Sequence, residues 1–292
     1  MAIGVNSLAF IAVAQVLALA RVVMVLVWCI RFMGGLAWEA TDKSLIFNIH
    51  PVLMLIGLVI IGGEAIMTYK ALPLKKELKK VIHMVLHAIA LVLGIIGIYA
   101  AFKFHNESSI ANLYSLHAWV GIGIIALYGI QWIYGFLIFL FPGGSSAVRS
   151  ETVPWHIFLG LIIFSLAVGN AAIGFLEKLT FLESASLAKF GAEAYLVNFT
   201  AIVTVLYGVF VVFSVLSQPV VVVNFTAIND EYYGMGLFII LFPYRTKARL
   251  QDLMTNSALR TTLEEWEKDD LLHKLISIKP VMSNNAESIP TF

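Results

Sequence analysis

Long apolar stretches separated by short polar ones set the pattern of this chain. A membrane-spanning helix needs about 20 mostly apolar residues, and six stretches qualify, at roughly 8–30, 49–69, 82–102, 116–140, 155–176 and 195–217. The connections are short, so neighbouring spans are expected to run antiparallel. The first stretch has no basic leading region and runs too long for a signal segment, which reads as a span that stays. The pattern therefore predicts an all-α membrane protein with six transmembrane helices over 1–217, spans two to five forming a central four-helix bundle. Past Ser217 the character changes. "KARLQDLMTNSALRTTLEEWEKDDLLHKLISI" reads as a charged amphipathic segment, so 218–292 is set apart as a cytoplasmic tail, amphipathic or disordered.

Composition agrees. The chain is 60% hydrophobic and 13% charged, with mean hydropathy +0.90, against about 25% charged residues in soluble domains. Its net charge of +1 points to no strongly charged partner, and no nucleic-acid partner is expected. The single cysteine, Cys29, excludes a disulfide within the chain, a C-x-x-C-H haem attachment and a four-thiolate cluster. A metal held here is held by histidine. Basic residues give the orientation. "YKALPLKKELKK" after span two carries Lys70, Lys75, Lys76, Lys79 and Lys80, whereas the loop after span three carries Lys103 alone. That bias puts the span 2–3 loop, the span 4–5 loop and both termini in the cytoplasm.

The histidines carry the chemistry. His50, His83, His117 and His156 each stand near the start of one of spans two to five. Spans two and four start on the outer side, spans three and five on the cytoplasmic side. His50 and His117 thus share one depth, and His83 and His156 share another. Two imidazoles approaching a flat gap from opposite helices suit the axial positions of a haem iron, whereas zinc prefers three or four protein ligands. His83 and His87 lie one turn apart on nearly one face, but His87 is ~6 Å deeper; matched depth selects His83. Two such haems would carry electrons across the bilayer. Glycines in all four spans, Gly57, Gly94, Gly121 and Gly160 among them, either make room for a planar group or let helices pack closely.

At the cytoplasmic mouth, Lys76, Lys79, Lys80 and Arg149 are either the positive-inside signal or an attractor for a small anionic reductant. On the outer side, Phe104, His105, Asn112 and Tyr114 fall near the His50/His117 pair, as proton-handling groups or interfacial anchors. Arg21 and Glu64 are ionisable residues inside the spans, each a functional candidate by that fact alone. Their depths differ by ~10 Å. A haem-free transporter or proton relay using the buried histidines is the competing reading.

"FNIHPVLM", "NLYSLHAWVGIG", "FPGG", "PWH" and "GFLEKLTFL", in this order over residues 1–217, resemble the cytochrome b561 family, especially its plant ascorbate-reducible branch. The resemblance implies two b-type haems ligated by His50 with His117 and by His83 with His156. It also implies electron flow from cytoplasmic ascorbate to monodehydroascorbate or a ferric chelate across the lipid bilayer. Lys76, Lys80 and Arg149 match the family's cytoplasmic ascorbate site, and Phe104, His105, Asn112 and Tyr114 its outer substrate site. A homodimer in the vacuolar or plasma membrane is implied as well.

Overall fold

The computed structural model describes residues 3–218; the tail set apart from 218 onward lies outside the described residues apart from its first. Six helices are long and apolar enough to cross a membrane: α1 (Ser7–Phe32), α2 (Ser44–Ala71), α3 (Lys76–Glu107), α4 (Leu116–Phe139), α5 (Ser146–Ser184) and α6 (Ala192–Leu216). Strand β1 (Ile3–Asn6) pairs with the two-residue strand β2 (Ser217–Gln218). Helices α2 to α5 pack in sequence, with α5 returning to α2, while α1 and α6 pack on each other and flank this bundle.

Polar residues at the helix starts hold the first turns. The side chains of Asn6, Ser115 and Ser145 accept from the amides of Leu8, Ala118 and Val148 at 3.0, 3.2 and 3.3 Å, supplying acceptors for N–H groups that have no intrahelical partner. Ahead of α2, Asp42 accepts from the Ser44 amide at 2.9 Å. The hydroxyl and amide of Ser44 hold the Asp42 carboxyl below its ordinary range. Between α1 and α2, the buried Asn48 amide donates to the carbonyls of Met33 and Gly35 at 3.0 and 2.8 Å, fixing a turn that would otherwise leave carbonyls unmet. The α4–α5 turn passes through Gly143 at φ +83°, a left-handed conformation that glycine adopts without a Cβ penalty.

Two of the helices are not regular. Leu53–Ile61 in α2 and Trp28–Phe32 in α1 run as π-helix, and Pro51, which lacks an N–H and crowds the preceding turn, stands just before the first of these. Such wide turns concentrate at functional sites. The glycines divide into two kinds. A Cβ on Gly57 would lie 2.5 Å from Leu93 Cβ, and one on Gly94 or Gly97 would press on Ile125 or Met54. Here the bare backbone lets α2, α3 and α4 approach. A Cβ on Gly123, Gly129 or Gly169, by contrast, would meet nothing within 4 Å.

The helix ends differ from the sequence expectation. The apolar stretches at 82–102 and 155–176 lie inside helices starting at Lys76 and Ser146. Hydropathy marks where the hydrocarbon begins, whereas a helix continues past it as long as its backbone bonds are satisfied. His83 is therefore about two turns into α3, and His156 nearly three turns into α5, rather than in their opening turns. Lys178, beyond the end of the fifth apolar stretch, still lies within α5.

Candidate functional site

The four histidines meet in two pairs. The ring centroids of His50 and His117 are 6.1 Å apart with ring planes at 87°. Those of His83 and His156 are also 6.1 Å apart, at 64°. Two metal–imidazole bonds of about 2.0–2.1 Å, plus the ring radii, put the centroids of opposed ligands about 6.3 Å apart. Both pairs thus match the span of a single metal held from two sides. Along α3, the step from His83 to Gly97, whose carbonyl holds His50, is about 21 Å, so the pairs lie toward opposite ends of the bundle. Among the described residues no three His, Cys, Asp or Glu side chains could hold an ion together; the donors come in twos.

Each imidazole is fixed through Nδ1. His50 Nδ1 lies 3.0 Å from the Gly97 carbonyl, His83 Nδ1 2.8 Å from that of Ala65, and His117 Nδ1 2.9 Å from that of Asn170. A carbonyl can only accept, so these three rings carry their proton on Nδ1 and present Nε2 as the free donor, the arrangement in which a ring ligates a metal. His156 differs: its Nδ1 faces the Gln131 amide at 3.0 Å, and the same amide nitrogen donates to the His156 carbonyl at 2.8 Å. His87 points elsewhere. Its Nδ1 meets the Tyr128 hydroxyl, and its ring stands edge-on to His83 with centroids 4.4 Å apart.

Two glycines make the pairs possible. A Cβ at Gly174 on α5 would come within 2.7 Å of His117 Cε1 and 3.1 Å of both its nitrogens, and one at Gly135 on α4 within 3.2 Å of His156 Cε1. The rings lie against bare backbone of the neighbouring helix. Around the outer pair, a cavity of about 500 Å³ is lined by His50, His117, Gly121, Asn170 and Gly174, a volume within the roughly 300–1,000 Å³ of small-molecule and cofactor pockets. The Asn170 side-chain oxygen is buried there without a hydrogen-bond partner. The opposed rings, the cleared backbone and the mostly apolar walls fit a planar cofactor held between two imidazoles. A second cavity of about 430 Å³ touches His156, Gln131 and Trp155 but not His83, so it does not lie between the rings of that pair.

The outer residues singled out from the sequence come together. Phe104, His105, Asn112 and Tyr114 all line the outer cavity with His50 and His117. His105 stacks on Tyr114 at 6.0 Å between centroids, Phe104 packs edge-on to Phe47 at 5.2 Å, and the Asn112 amide donates to Asn106 at 2.7 Å. Leu113, at φ +55°, holds the strained turn between Asn112 and Tyr114. Toward the other end of the bundle, Lys76 opens α3, Lys80 Nζ contacts Glu77 Oε2 at 2.9 Å, and Arg149 stands exposed in the first turn of α5. Lys76, Lys80 and Arg149 all act electrostatically on Glu77, so one acidic residue sits amid the basic group.

Two functional candidates, Gly174 and Gly135, carry no signal of their own in the sequence, and two more, Asn170 and Gln131, show there only as polar residues within spans. Lys178 belongs with them. It lines the outer cavity, its Nζ 4.6 Å from the Phe47 ring centroid, and only its place in "GFLEKLTFL" marks it.

The model of the eukaryotic cytochrome b561 family matches residues 49–182, which include all four paired histidines. An Arabidopsis thaliana protein, "Transmembrane ascorbate ferrireductase 1", is 62% identical over 218 residues, 75% of this chain and 91% of that one. The chain belongs to the cytochrome b561 family. A Zea mays member, "Ascorbate-specific transmembrane electron transporter 2", is 62% identical over 216 residues, 74% of this chain and 92% of its own. A human member, "Transmembrane ascorbate-dependent reductase CYB561", is 40% identical over 200 residues, 68% of this chain and 78% of its own. Membership makes the chain a b-type haem protein, in keeping with its paired histidines and apolar cavity, and the match to the family model ends at residue 182, before the tail.

Proposed function

We propose that this cytochrome b561 is a transmembrane oxidoreductase. It passes electrons from cytoplasmic ascorbate, through two b haems held by His83 with His156 and by His50 with His117, to monodehydroascorbate or a ferric chelate on the outer side. The observation that carries this is the repetition of one ligand geometry, 6.1 Å between ring centroids, at both ends of the same four helices. One such pair would make a cytochrome; two, about 21 Å apart along the bundle, make a route across a bilayer. Bound haem supplies a one-electron carrier at each pair.

The chain's own residues do the rest. The carbonyls of Ala65, Gly97 and Asn170 keep three ligand rings in the ligating tautomer. Lys76, Lys80 and Arg149 attract an anionic reductant to the cytoplasmic mouth, and Glu77 limits how tightly it is held. At the outer cavity, Lys178 draws an anionic acceptor, while His105 and Tyr114 are placed to give a proton to a reduced organic product. A homodimer with both termini in the cytoplasm completes the reading.

A reduced-minus-oxidised visible spectrum of the purified protein tests it. Ascorbate should produce two b-type signals. His83→Ala should lose one, while His87→Ala keeps both. A wild-type protein without b-type absorption would favour a haem-free transporter, and loss of a haem from His87→Ala but not His83→Ala would overturn the ligand assignment.

A further inference from the structure

Arg21 lies about 21 Å along α1 from its first residue, near the middle of the span, with no exposed surface. None of its three guanidinium nitrogens has a hydrogen-bond partner, and none lies within ion-pair distance of a carboxylate among the described residues. Among the described residues the electrostatic contact it makes is with the face of the Tyr207 ring, 4.5 Å from the guanidinium carbon to the centroid. A cation–π contact offsets only part of the cost of taking such a charge out of water.

The nearest candidate counter-charge is kept away by the packing. Tyr207 is wedged in place: its hydroxyl donates to the Ile60 carbonyl at 3.1 Å, and it occupies the space where a side chain on Gly63 would be. Beyond that hydroxyl lies Glu64, one oxygen of which takes the Gln15 amide at 2.8 Å. Tyr207 thus stands between Arg21 and Glu64, and among the described residues no direct pair forms. The segment of α2 beside this cluster joins the two histidine pairs. Val59, next to Ile60, lines the outer cavity, and Ala65, next to Glu64, holds His83.

We infer that Arg21 is a fixed positive charge, without an ion-pair partner among the described residues, beside the electron route, which stabilises an added electron at both haem sites and eases its passage through the low-dielectric middle of the bilayer. The inference rests on the two-haem reading above. A buried charge acts over a long range because neither water nor salt surrounds it. Arginine suits the task, since it holds its proton where a buried lysine loses it readily.

The test is an equilibrium redox titration of the purified full-length protein, followed by visible absorption, with Arg21→Met and Arg21→Gln. Both neutral variants should shift the midpoint potentials of both haems downward by similar amounts, and the shift should persist at high salt. Retained haem content and a low-spin spectrum certify the fold. Unchanged potentials, upward shifts, or a shift in one variant alone would overturn the inference, as would a shift abolished by salt. If Arg21→Met fails to fold, Arg21→Gln decides by the same criteria. A wild-type protein without two b-type signals fails the parent reading instead, which separates the two failures.

Discussion

Substituting Gly174 by alanine should remove the outer haem and spare the cytoplasmic one. The added Cβ would lie 2.7 Å from His117 Cε1 and 3.1 Å from both Nδ1 and Nε2. Ordinary contacts between carbon atoms fall at about 3.5–4.0 Å, so the ring must retreat by about 1 Å. It cannot do so by bending a flexible tip, because three ring atoms meet the methyl at once. His117 Nδ1 is also tethered at 2.9 Å to Asn170, on the same helix as Gly174. A functional geometry tolerates displacements of about 0.5 Å, so the ligand is lost. The fold should survive. Overpacking costs about 1–3 kcal/mol, and replacing a mid-helix glycine by alanine returns up to about 1 kcal/mol. The series has internal controls. At Gly135 the new Cβ stops 3.2 Å from His156 Cε1, a clash relieved by a few tenths of an ångström, and at Gly129 it meets nothing within 4 Å. Haem per protein, measured as the pyridine haemochrome, should fall to about half in Gly174→Ala and stay near wild type in Gly135→Ala and Gly129→Ala. A Gly174→Ala protein with full haem and an unaltered low-spin spectrum would refute the reasoning.

Further outcomes follow from the same contacts. Gln131→Leu removes the amide that meets both His156 Nδ1 and the His156 carbonyl, and should alter the electron paramagnetic resonance signal of the cytoplasmic haem while leaving the outer one unchanged. Asn48→Ala strands the carbonyls of Met33 and Gly35 and should destabilise the protein by about 1–3 kcal/mol, read as a lower thermal midpoint. Lys76→Ala and Arg149→Ala should raise the KM for ascorbate more than they lower kcat, with an effect that shrinks as salt rises. Lys103 joins Glu39 and Glu107 at the surface, at 2.8 Å from Glu39; Lys103→Met should leave the thermal midpoint close to wild type, because surface ion pairs contribute little.

Much of this was legible in the sequence, for reasons that can be named. Six spans stand out because a bilayer demands an apolar run of fixed length. The pairing of His50 with His117 and of His83 with His156 follows from antiparallel connections, which convert position along the chain into depth. His83 and His156, expected near the starts of their spans, lie about two and nearly three turns into their helices, since Lys76–Val81 and Ser146–Pro154 are helical although they precede the apolar runs; matched depth survives because both helices extend past the same face. The groups that hold the rings were hidden. Ala65 and Gly97 act through backbone carbonyls, which every residue possesses, and Gly174 looks like any other glycine of a membrane helix. Asn170 and Gln131, polar residues within spans, were the one available hint.

The hydrogen bonds of the four histidines show how the bundle is organised. His50 on α2 is held by Gly97 on α3, and His83 on α3 by Ala65 on α2. His117 on α4 is held by Asn170 on α5, whose side-chain amide returns a bond to the His117 carbonyl at 3.2 Å, and His156 on α5 is met by Gln131 on α4. Each hairpin, α2–α3 and α4–α5, thus clasps its own two imidazoles, one near each end. The opposed rings face each other across the hairpins, α2 to α4 and α3 to α5. Ring orientation is therefore set within a hairpin, while the gap a cofactor fills is set between hairpins. A substitution that loosens a clasp, such as one at Asn170, disturbs a single ligand; one that shifts the hairpins against each other disturbs both sites together. By that division, substitutions at contacts between the hairpins, far from either histidine pair, are expected to affect both sites at once.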